Sequence, residues 1–473
     1  MRVENSQCAS GRLVRRLTLF DSVMVVVGGT IGAAIFITPA DVLRAVPDAR
    51  IALLLWVIAG GITLMAGLAC AELGGMYPEA GGQYVFIREA FGRFAAFIYG
   101  WVLFTAGNSG ALAAMAIAFA IFFGHAFPAF SADHVLLSHI WFGIHWELNR
   151  GAVVAALLVI VLTGINLRSV KLAAWLQNVT ASGFLLAIVA IVVLGLLFGH
   201  GSWSNLHPEP GNGLAAVSFK GLGIAMIALL WTFDGWEFLS WVAGEIENPR
   251  RNLPLALILG IVLIIVTYLL ANIAFLYALP REILIAQTSL ADATIDALFS
   301  RHAGRWVSLF VAFISFGSAS VVVLGGARIY LSMAQDGIFF RSMAHVQPRW
   351  NTPIGSLLAQ CVWVLVLIMS GRYEQLYTCF IFMMTLTYVF TVGALFVLRR
   401  TQPDRPRPYR CPGYPWLPIL YLMIACGFVV STLLSKPVES AAGLAMAATG
   451  VPMYFFWRWQ DARIVGCQVD QRG

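Results

Sequence analysis

The sequence predicts an all-α membrane protein with twelve transmembrane helices. Of the 473 residues, 60% are hydrophobic and only 11% are charged, and the mean hydropathy is +0.82. Soluble domains carry about 25% charged residues, so a water-soluble fold of this size would lack the charges to cover its surface. Apolar runs long enough to cross a bilayer, which takes roughly 20 residues each, also recur along the whole chain.

The predicted spans are residues 18–45, 51–74, 92–123, 151–167, 172–199, 214–244, 254–279, 305–331, 354–370, 374–398, 415–435 and 440–459. We divide the chain into a cytoplasmic N-terminal segment (1–17), a core of helices 1–10 (18–400), two accessory helices (401–460) and a cytoplasmic C-terminal tail (461–473).

The distribution of basic residues predicts the orientation. Cytoplasmic loops are enriched in lysine and arginine, and most of the 30 basic residues fall on one side if the N-terminus is inside. An even number of helices returns the C-terminus to the same side. We therefore expect a multi-pass protein of the plasma (inner) membrane with both termini in the cytoplasm.

The net charge of +7 is spread over many short loops, so it does not predict a nucleic-acid partner. The seven cysteines are scattered without metal-type spacing. We expect no zinc site, no structural disulfide, no metal and no cofactor.

Two spans contain polar interruptions near mid-membrane. The first includes Gly28, Gly29 and Gly32, and the sixth includes Asp234-Gly235-Trp236-Glu237. Glycines at corresponding positions in two halves are typical of an inverted repeat whose first helices are discontinuous. Helices 1–5 and 6–10 would be the two repeats.

A helix broken within hydrocarbon leaves backbone groups that must line a cavity or meet a polar partner. At the first break, the N–H groups of a second half-helix suit a carboxylate, whereas the preceding carbonyls suit an ammonium. The alternative is close helix packing through small residues. The candidate residues are Gly29, Thr30, Ile31, Gly32, Ala33 and Ala34.

The sixth span places two acids in an apolar segment. The free-energy cost of inserting each one at a helix centre is roughly 2.5–3.5 kcal/mol. Such acids bind a cation, relay a proton or pair with a base. Glu237 is the candidate for proton coupling. The substrate candidates of this span are Trp231, Thr232, Phe233, Asp234 and Gly235.

For other polar residues in the spans, the sequence leaves two interpretations open, a structural one and a functional one. Asn108 in the third span either bonds across helices or contacts a ligand. Ser315 and Ser318 in the eighth span either bond their own backbone or offer hydroxyls to an ion. Glu72 and Glu245 at cytoplasmic helix ends favour inner-gate or structural ion pairs.

The chain resembles the amino acid–polyamine–organocation superfamily, most closely its L-amino-acid-transporter branch, over about residues 15–400. The resemblance rests on motifs that occur in this order: Val27-Gly28 with Ile35-Phe36-Ile37-Thr38-Pro39, Ala71-Glu72-Leu73-Gly74, Gly81-Gly82-Gln83-Tyr84, Asp234-Gly235-Trp236, residues 245–254 (EIENPRRNLP) and Ser315-Phe316-Gly317-Ser318.

This resemblance implies a leucine-transporter-type fold with five-plus-five inverted repeats and alternating access. It implies that residues 32–34 hold an α-carboxylate, that Trp231 is an aromatic gate and that Asn108 contacts substrate. It also implies that Glu237 stands at the proton-sensing position of related antiporters.

Three departures from the family pattern matter. Gly32-Ala33-Ala34 replaces the usual Gly-Ser-Gly, and Phe184 stands where many members carry a lysine that substitutes for sodium. The loop between helices 3 and 4 has no cysteine, so we expect no disulfide-linked ancillary subunit.

We therefore predict a secondary permease or exchanger of L-amino acids, whose partners are the solute, membrane lipid and candidate coupling protons. The alternatives are a polyamine or amine carrier, favoured by Asp234 and Glu237, and a sensor that binds without transport. We do not expect an enzyme, since no paired base and nucleophile lies at membrane depth.

Overall fold

The computed structural model describes residues 14–141, 144–198, 201–206, 218–286, 290, 294, 304–347, 349–370 and 373–470. Most of the predicted N-terminal segment and the last three residues of the predicted tail lie outside this part of the chain. So do residues 199 and 214–217 of two predicted spans.

The described chain is almost entirely helical. The helices are α1 (Leu19–Thr30), α2 (Thr38–Ala45), α3 (Ala49–Met76), α4 (Gln83–Phe91), α5 (Arg93–Thr105), α6 (Gly107–Ala126), α7 (Arg150–Arg168), α8 (Val170–Phe198), α9 (Phe219–Thr232), α10 (Phe238–Trp241), α11 (Pro249–Ala278), α12 (Arg281–Ala286), α13 (Gly304–Gln335), α14 (Ile354–Ser370), α15 (Tyr373–Thr401), α16 (Trp416–Ser435) and α17 (Pro437–Asp470). A hairpin of β1 (Val135–Trp141) and β2 (Ile144–Asn149) precedes α7.

Eight helical segments of the described chain are long and apolar enough to cross a membrane. Three shorter apolar helices lie within the first, sixth and ninth predicted spans: Leu19–Thr30, Lys220–Thr232 and Ile354–Met369. The count of twelve spans and the inverted repeat stay predictions.

The helices form a core and a periphery. The apolar window of α13 is 78% buried, whereas that of α16 is 28% buried. α13 packs against α1, α6 and α8, and α11 packs against α1 and α3. Large apolar side chains on the outside, such as Leu186, Val362 and Leu434, are more than half exposed. Such a surface fits a bilayer as solvent.

Several local features differ from the predicted spans. The third span is divided at Ala106 into α5 and α6, and a helix that was not predicted, α4, precedes it. The described part of the sixth span is α-helical only over Phe219–Thr232 and Phe238–Trp241, and α17 continues past residue 460 to Asp470.

Two interrupted helices lie side by side at the centre. The start of the chain's first helix is fixed by Thr18, whose hydroxyl accepts the Asp21 N–H while the Asp21 carboxylate accepts the Thr18 N–H. Just before it, Leu17 pairs with Ile246, which follows α10, through backbone hydrogen bonds of 2.7–2.9 Å between residues 16–17 and 245–247. The beginning of the first interrupted helix is therefore tied to the end of the second.

Buried ion pairs link the helices at this same end of the bundle. The Glu72 side chain has no exposed surface. Its carboxylate accepts hydrogen bonds from Nε and Nη2 of Arg399 at 2.9 and 2.6 Å and from the Cys411 N–H at 2.7 Å. Arg407 lies 3.3 Å from the same carboxylate. Burial, together with this carboxylate, raises the pKa of the Cys411 thiol to about 11, so the thiol stays neutral near pH 7.

A second buried pair joins Arg328 of α13 to Glu245 at 2.7 Å, and both side chains are almost fully buried. The expectation that Glu72 and Glu245 form ion pairs is confirmed. Because removing one partner of a buried pair leaves an uncompensated charge, these pairs hold the helix ends in one arrangement.

Candidate functional site

The break in the first helix exposes backbone donors. α1 ends at Thr30, Ile31 and Gly32 are extended, and a short 3₁₀ helix begins at Ala33 before α2. Among the described residues, no partner accepts the backbone N–H groups of Gly32, Ala33 or Ala34. Three adjacent donors at a helix start form an anion-binding geometry.

The break in the sixth helix is sharper. α9 ends at Thr232, and the chain turns through Phe233, Asp234 and Gly235 before the single turn of α10. Gly235 has a φ of +109°, a conformation that side chains with a Cβ rarely adopt. Its N–H donates to the Glu237 carboxylate at 3.1 Å.

The two breaks touch each other through glycine. A Cβ on Gly29 would lie 2.9 Å from the Gly235 carbonyl oxygen, and a Cβ on Gly235 would collide with the Gly29 carbonyl. The close approach of the two backbones therefore requires glycine on both sides. The Thr232 hydroxyl at the end of α9 also donates a hydrogen bond of 2.7 Å to the Thr38 hydroxyl at the start of α2.

Tyr268 of α11 joins the two breaks through one hydroxyl group. Its O–H lies 3.1 Å from the Thr30 carbonyl and 3.0 Å from the Thr232 carbonyl, the last residues of α1 and α9. The side chain is fully buried, with its ring against Trp56 and Phe233. The single proton is thus shared between two carbonyl groups that helix termination leaves unpaired.

Ser318 of α13 also satisfies a carbonyl of the first break. Its hydroxyl donates to the Ile31 carbonyl at 2.6 Å. Ser315, one turn earlier, donates to the Val311 carbonyl of its own helix. The carbonyls of Thr30 and Ile31 are thus both satisfied by side chains of neighbouring helices.

A cavity opens between the two breaks. It is lined by Thr30, Gly32, Ala34, Ala111, Met115, Ala118, Trp231, Asp234, Gly235, Phe238, Ser315, Ser318 and Phe380. Six predicted residues of the two breaks and both predicted serines of the eighth span therefore meet around one space. The Trp231 ring contacts Phe380 edge-on at 5.2 Å.

Asp234 places a carboxyl group at this cavity. One of its oxygens accepts the Tyr388 hydroxyl at 2.6 Å. The residue also lines a second cavity that extends toward α3 and α16, among Thr63, Tyr388 and Tyr421. A carboxylate with one committed oxygen and access to a cavity can accept a hydrogen bond from a cation.

The other candidates lie outside the cavity lining. Asn108 is fully buried against α13, with its amide 3.5 Å from the Val322 carbonyl and the Tyr330 hydroxyl. Phe233 packs against Trp56 and Tyr268. The substrate roles of all the candidates, inside the cavity lining and outside it, stay predictions.

Glu237 is fully buried behind Gly235. One carboxylate oxygen accepts the Gly235 N–H, and the other has no hydrogen-bond partner among the described residues. Phe184, at the position where the resemblance leads to a lysine, packs its ring 6.0 Å from that of Phe36. In the described chain no group of three His, Cys, Asp or Glu side chains could hold a metal ion.

Comparison with known proteins gives a consistent result. The profile of the amino acid permease family matches residues 17–457. The large neutral amino acids transporter small subunit 2 of Homo sapiens is 29% identical over 94% of this chain and 81% of its own length. The serine/threonine exchanger SteT of Bacillus subtilis (strain 168) is 28% identical over 94% and 97% of the two chains. The b(0,+)-type amino acid transporter 1 of Mus musculus is 26% identical over 94% and 88%.

We expect Tyr268→Phe to weaken substrate binding and lower the melting temperature in detergent. The ring contacts stay, but two buried carbonyls lose their donor, at a cost of about 1–3 kcal/mol for an unsatisfied buried group. Tyr421→Phe is the matched control, since its hydroxyl has no hydrogen-bond partner among the described residues. Equal behaviour of the two variants in thermal melts and binding titrations would contradict the role of Tyr268.

Proposed function

The chain belongs to the amino acid permease family, within the amino acid–polyamine–organocation superfamily, and from that premise we propose that it is a secondary transporter of L-amino acids that works by alternating access. The observation that carries this proposal is the pairing of free backbone donors with an acidic side chain across one cavity. Relatives of the chain are amino acid transporters and exchangers by name.

The α-carboxylate would bind at the first break. The N–H groups of residues 32–34 have no partner in the described chain, and Gly32 and Ala34 line the cavity. An anion there gains up to three hydrogen bonds and the positive end of a short helix. Ala34 adds a methyl group where the family pattern has glycine, which narrows the space beside the carboxylate.

The α-ammonium would bind on the opposite side of the cavity. The carbonyls of Gly29, Thr30 and Ile31 each have two lone pairs, so a bond from Tyr268 or Ser318 leaves one available. Asp234 lines the same cavity and, when ionised, adds a negative charge there. Trp231 would close over the substrate, supported by Phe380.

Proton coupling would act through Glu237. Its ionised carboxylate accepts the N–H of Gly235, the residue that touches Gly29 in the other break. A proton on that oxygen makes it a weaker acceptor and so weakens its hydrogen bond with the Gly235 N–H. Protonation of Glu237 would thus change the geometry of both breaks at once, which is the linkage that coupled transport requires.

Ser315 and Ser318 are the candidate ion ligands, but Ser318 already donates to the Ile31 carbonyl. Phe184 offers no charge at the position where many relatives carry a lysine. We therefore favour protons over a fixed internal cation. The protein would lie in the plasma membrane with both termini in the cytoplasm, as the basic residues indicate.

A polyamine or amine carrier is the second candidate function. Asp234 and Glu237 at the sixth-helix break favour a cationic solute, and the carboxylate motif lacks its serine hydroxyl. A sensor that binds amino acids without transport is the third candidate.

Uptake of labelled solutes into liposomes that contain the purified protein separates these functions. We expect transport of zwitterionic amino acids, stimulated when the outside is acidic, with little competition by putrescine. Putrescine uptake that alanine does not inhibit would favour the amine carrier, and saturable binding without flux would favour the sensor.

Glu237→Gln should flatten the pH dependence of uptake while transport at the optimal pH persists. Glutamine keeps an oxygen for the Gly235 N–H but cannot titrate. Glu247→Gln is the control, because the Glu247 side chain is exposed at the helix end. An unchanged pH profile in the Glu237 variant, with transport intact, would refute the proton role.

A further inference from the structure

A polar pocket lies at the end of the bundle where α5 begins and α13 ends. It has a volume of about 320 Å³ and is lined by Arg93, Gly337, Ile338, Tyr454 and Arg458. Its walls come from three parts of the chain that are far apart in sequence: the start of α5, the turn after α13 and the middle of α17. It is separate from the cavity between the two helix breaks.

The charge of this pocket is positive. Arg93 and Arg458 are both exposed, and neither has a hydrogen-bond or ion-pair partner within the described part of the chain. No acidic residue lines the pocket. The nearest acid along the chain is Asp336. Its carboxylate forms an ion pair with the Arg88 guanidinium at 2.9 Å and accepts the Tyr84 hydroxyl at 2.7 Å.

The backbone N–H groups of Gly337 and Ile338 are not available to bind an anion. The N–H groups of Gly337 and Ile338 donate to Ala334 and Met333 at the end of α13. Recognition would therefore rest on the two guanidinium groups, whose planar forks match the oxygens of a phosphate.

Exposed aromatic side chains lie close in sequence to the residues that line the pocket. Tyr454 stacks edge-on against Phe94 at 5.1 Å, which fixes α17 against α5. The neighbouring aromatic residues that are 40–57% exposed are Phe91, Phe94, Phe340, Phe455, Phe456 and Trp459. Aromatic residues gather at membrane–water interfaces, where their rings lie at headgroup level.

We propose that this pocket binds the phosphate of an anionic phospholipid from the adjoining leaflet. Basic pockets between transmembrane helices are recognised by such headgroups. The exposed aromatic side chains favour a lipid over a free phosphate ion, because they offer apolar contact to acyl chains beside the charged site. A lipid held here would connect α17 to α5 and to the turn after α13.

The test is native mass spectrometry of the purified, delipidated full chain titrated with dioleoyl phosphatidylglycerol, with dioleoyl phosphatidylcholine as the neutral lipid. We expect preferential binding of the anionic lipid. Each single variant, Arg93→Gln or Arg458→Gln, should weaken that binding about five-fold, and the double variant about 30-fold.

The control is the double variant Arg250→Gln/Arg251→Gln. It removes the same charge from the exposed first turn of α11, outside the pocket. We expect it to keep the lipid preference. An equal loss in the control and pocket variants would show only general charge attraction and would overturn the proposal.

Two further results would overturn it. The first is an unchanged lipid preference in the double pocket variant, or in both single variants if the double variant does not fold. The second is binding of inorganic phosphate at the same arginines with no preference for the lipid, which would make the pocket a site for a soluble anion.

Discussion

The structure depends on how two broken helices satisfy their backbone groups inside an apolar bundle. An unpaired carbonyl or N–H in hydrocarbon costs several kcal/mol. The Tyr268 hydroxyl donates to the terminal carbonyls of α1 and α9, and the Ser318 hydroxyl donates to the Ile31 carbonyl. The N–H groups of residues 32–34 are left without a partner in the described chain. Neighbouring helices thus satisfy the carbonyls, while the three backbone donors stay available at the candidate site.

The contact between Gly29 and Gly235 makes the two breaks one unit. Each backbone occupies the space where the other would carry a side chain, so the two breaks are in direct backbone contact. Glu237 holds the Gly235 N–H and therefore acts on this unit from behind the cavity. Substrate at the front and a proton at the back would thus bias the same element, which is the physical requirement for coupling.

The positions of the breaks could be predicted from sequence because glycines and acids interrupt long apolar runs there. The partners of the breaks could not be predicted, because Tyr268 is one of several polar residues in a long apolar helix. Only the folded bundle shows that its hydroxyl lies at the ends of α1 and α9. The depth of Asn108 in the third span could be predicted, but the direction of its side chain could not, and its amide lies against α13. The amphipathic helix α4 and the β-hairpin fell in segments without a membrane-span signal, so hydropathy alone did not reveal them.

The most direct measurement of the central claim is competition binding on the purified protein with a labelled amino acid. The competitors are the unlabelled amino acid, its α-amide and the acid that lacks its α-amine. If the breaks hold both charges of a zwitterion, each modified compound should compete about tenfold more weakly or worse, since a charged hydrogen bond contributes about 1.5–3 kcal/mol. An α-amide that competes as well as the parent amino acid would contradict carboxylate binding at residues 32–34, and with it the account of the paired breaks as a zwitterion site.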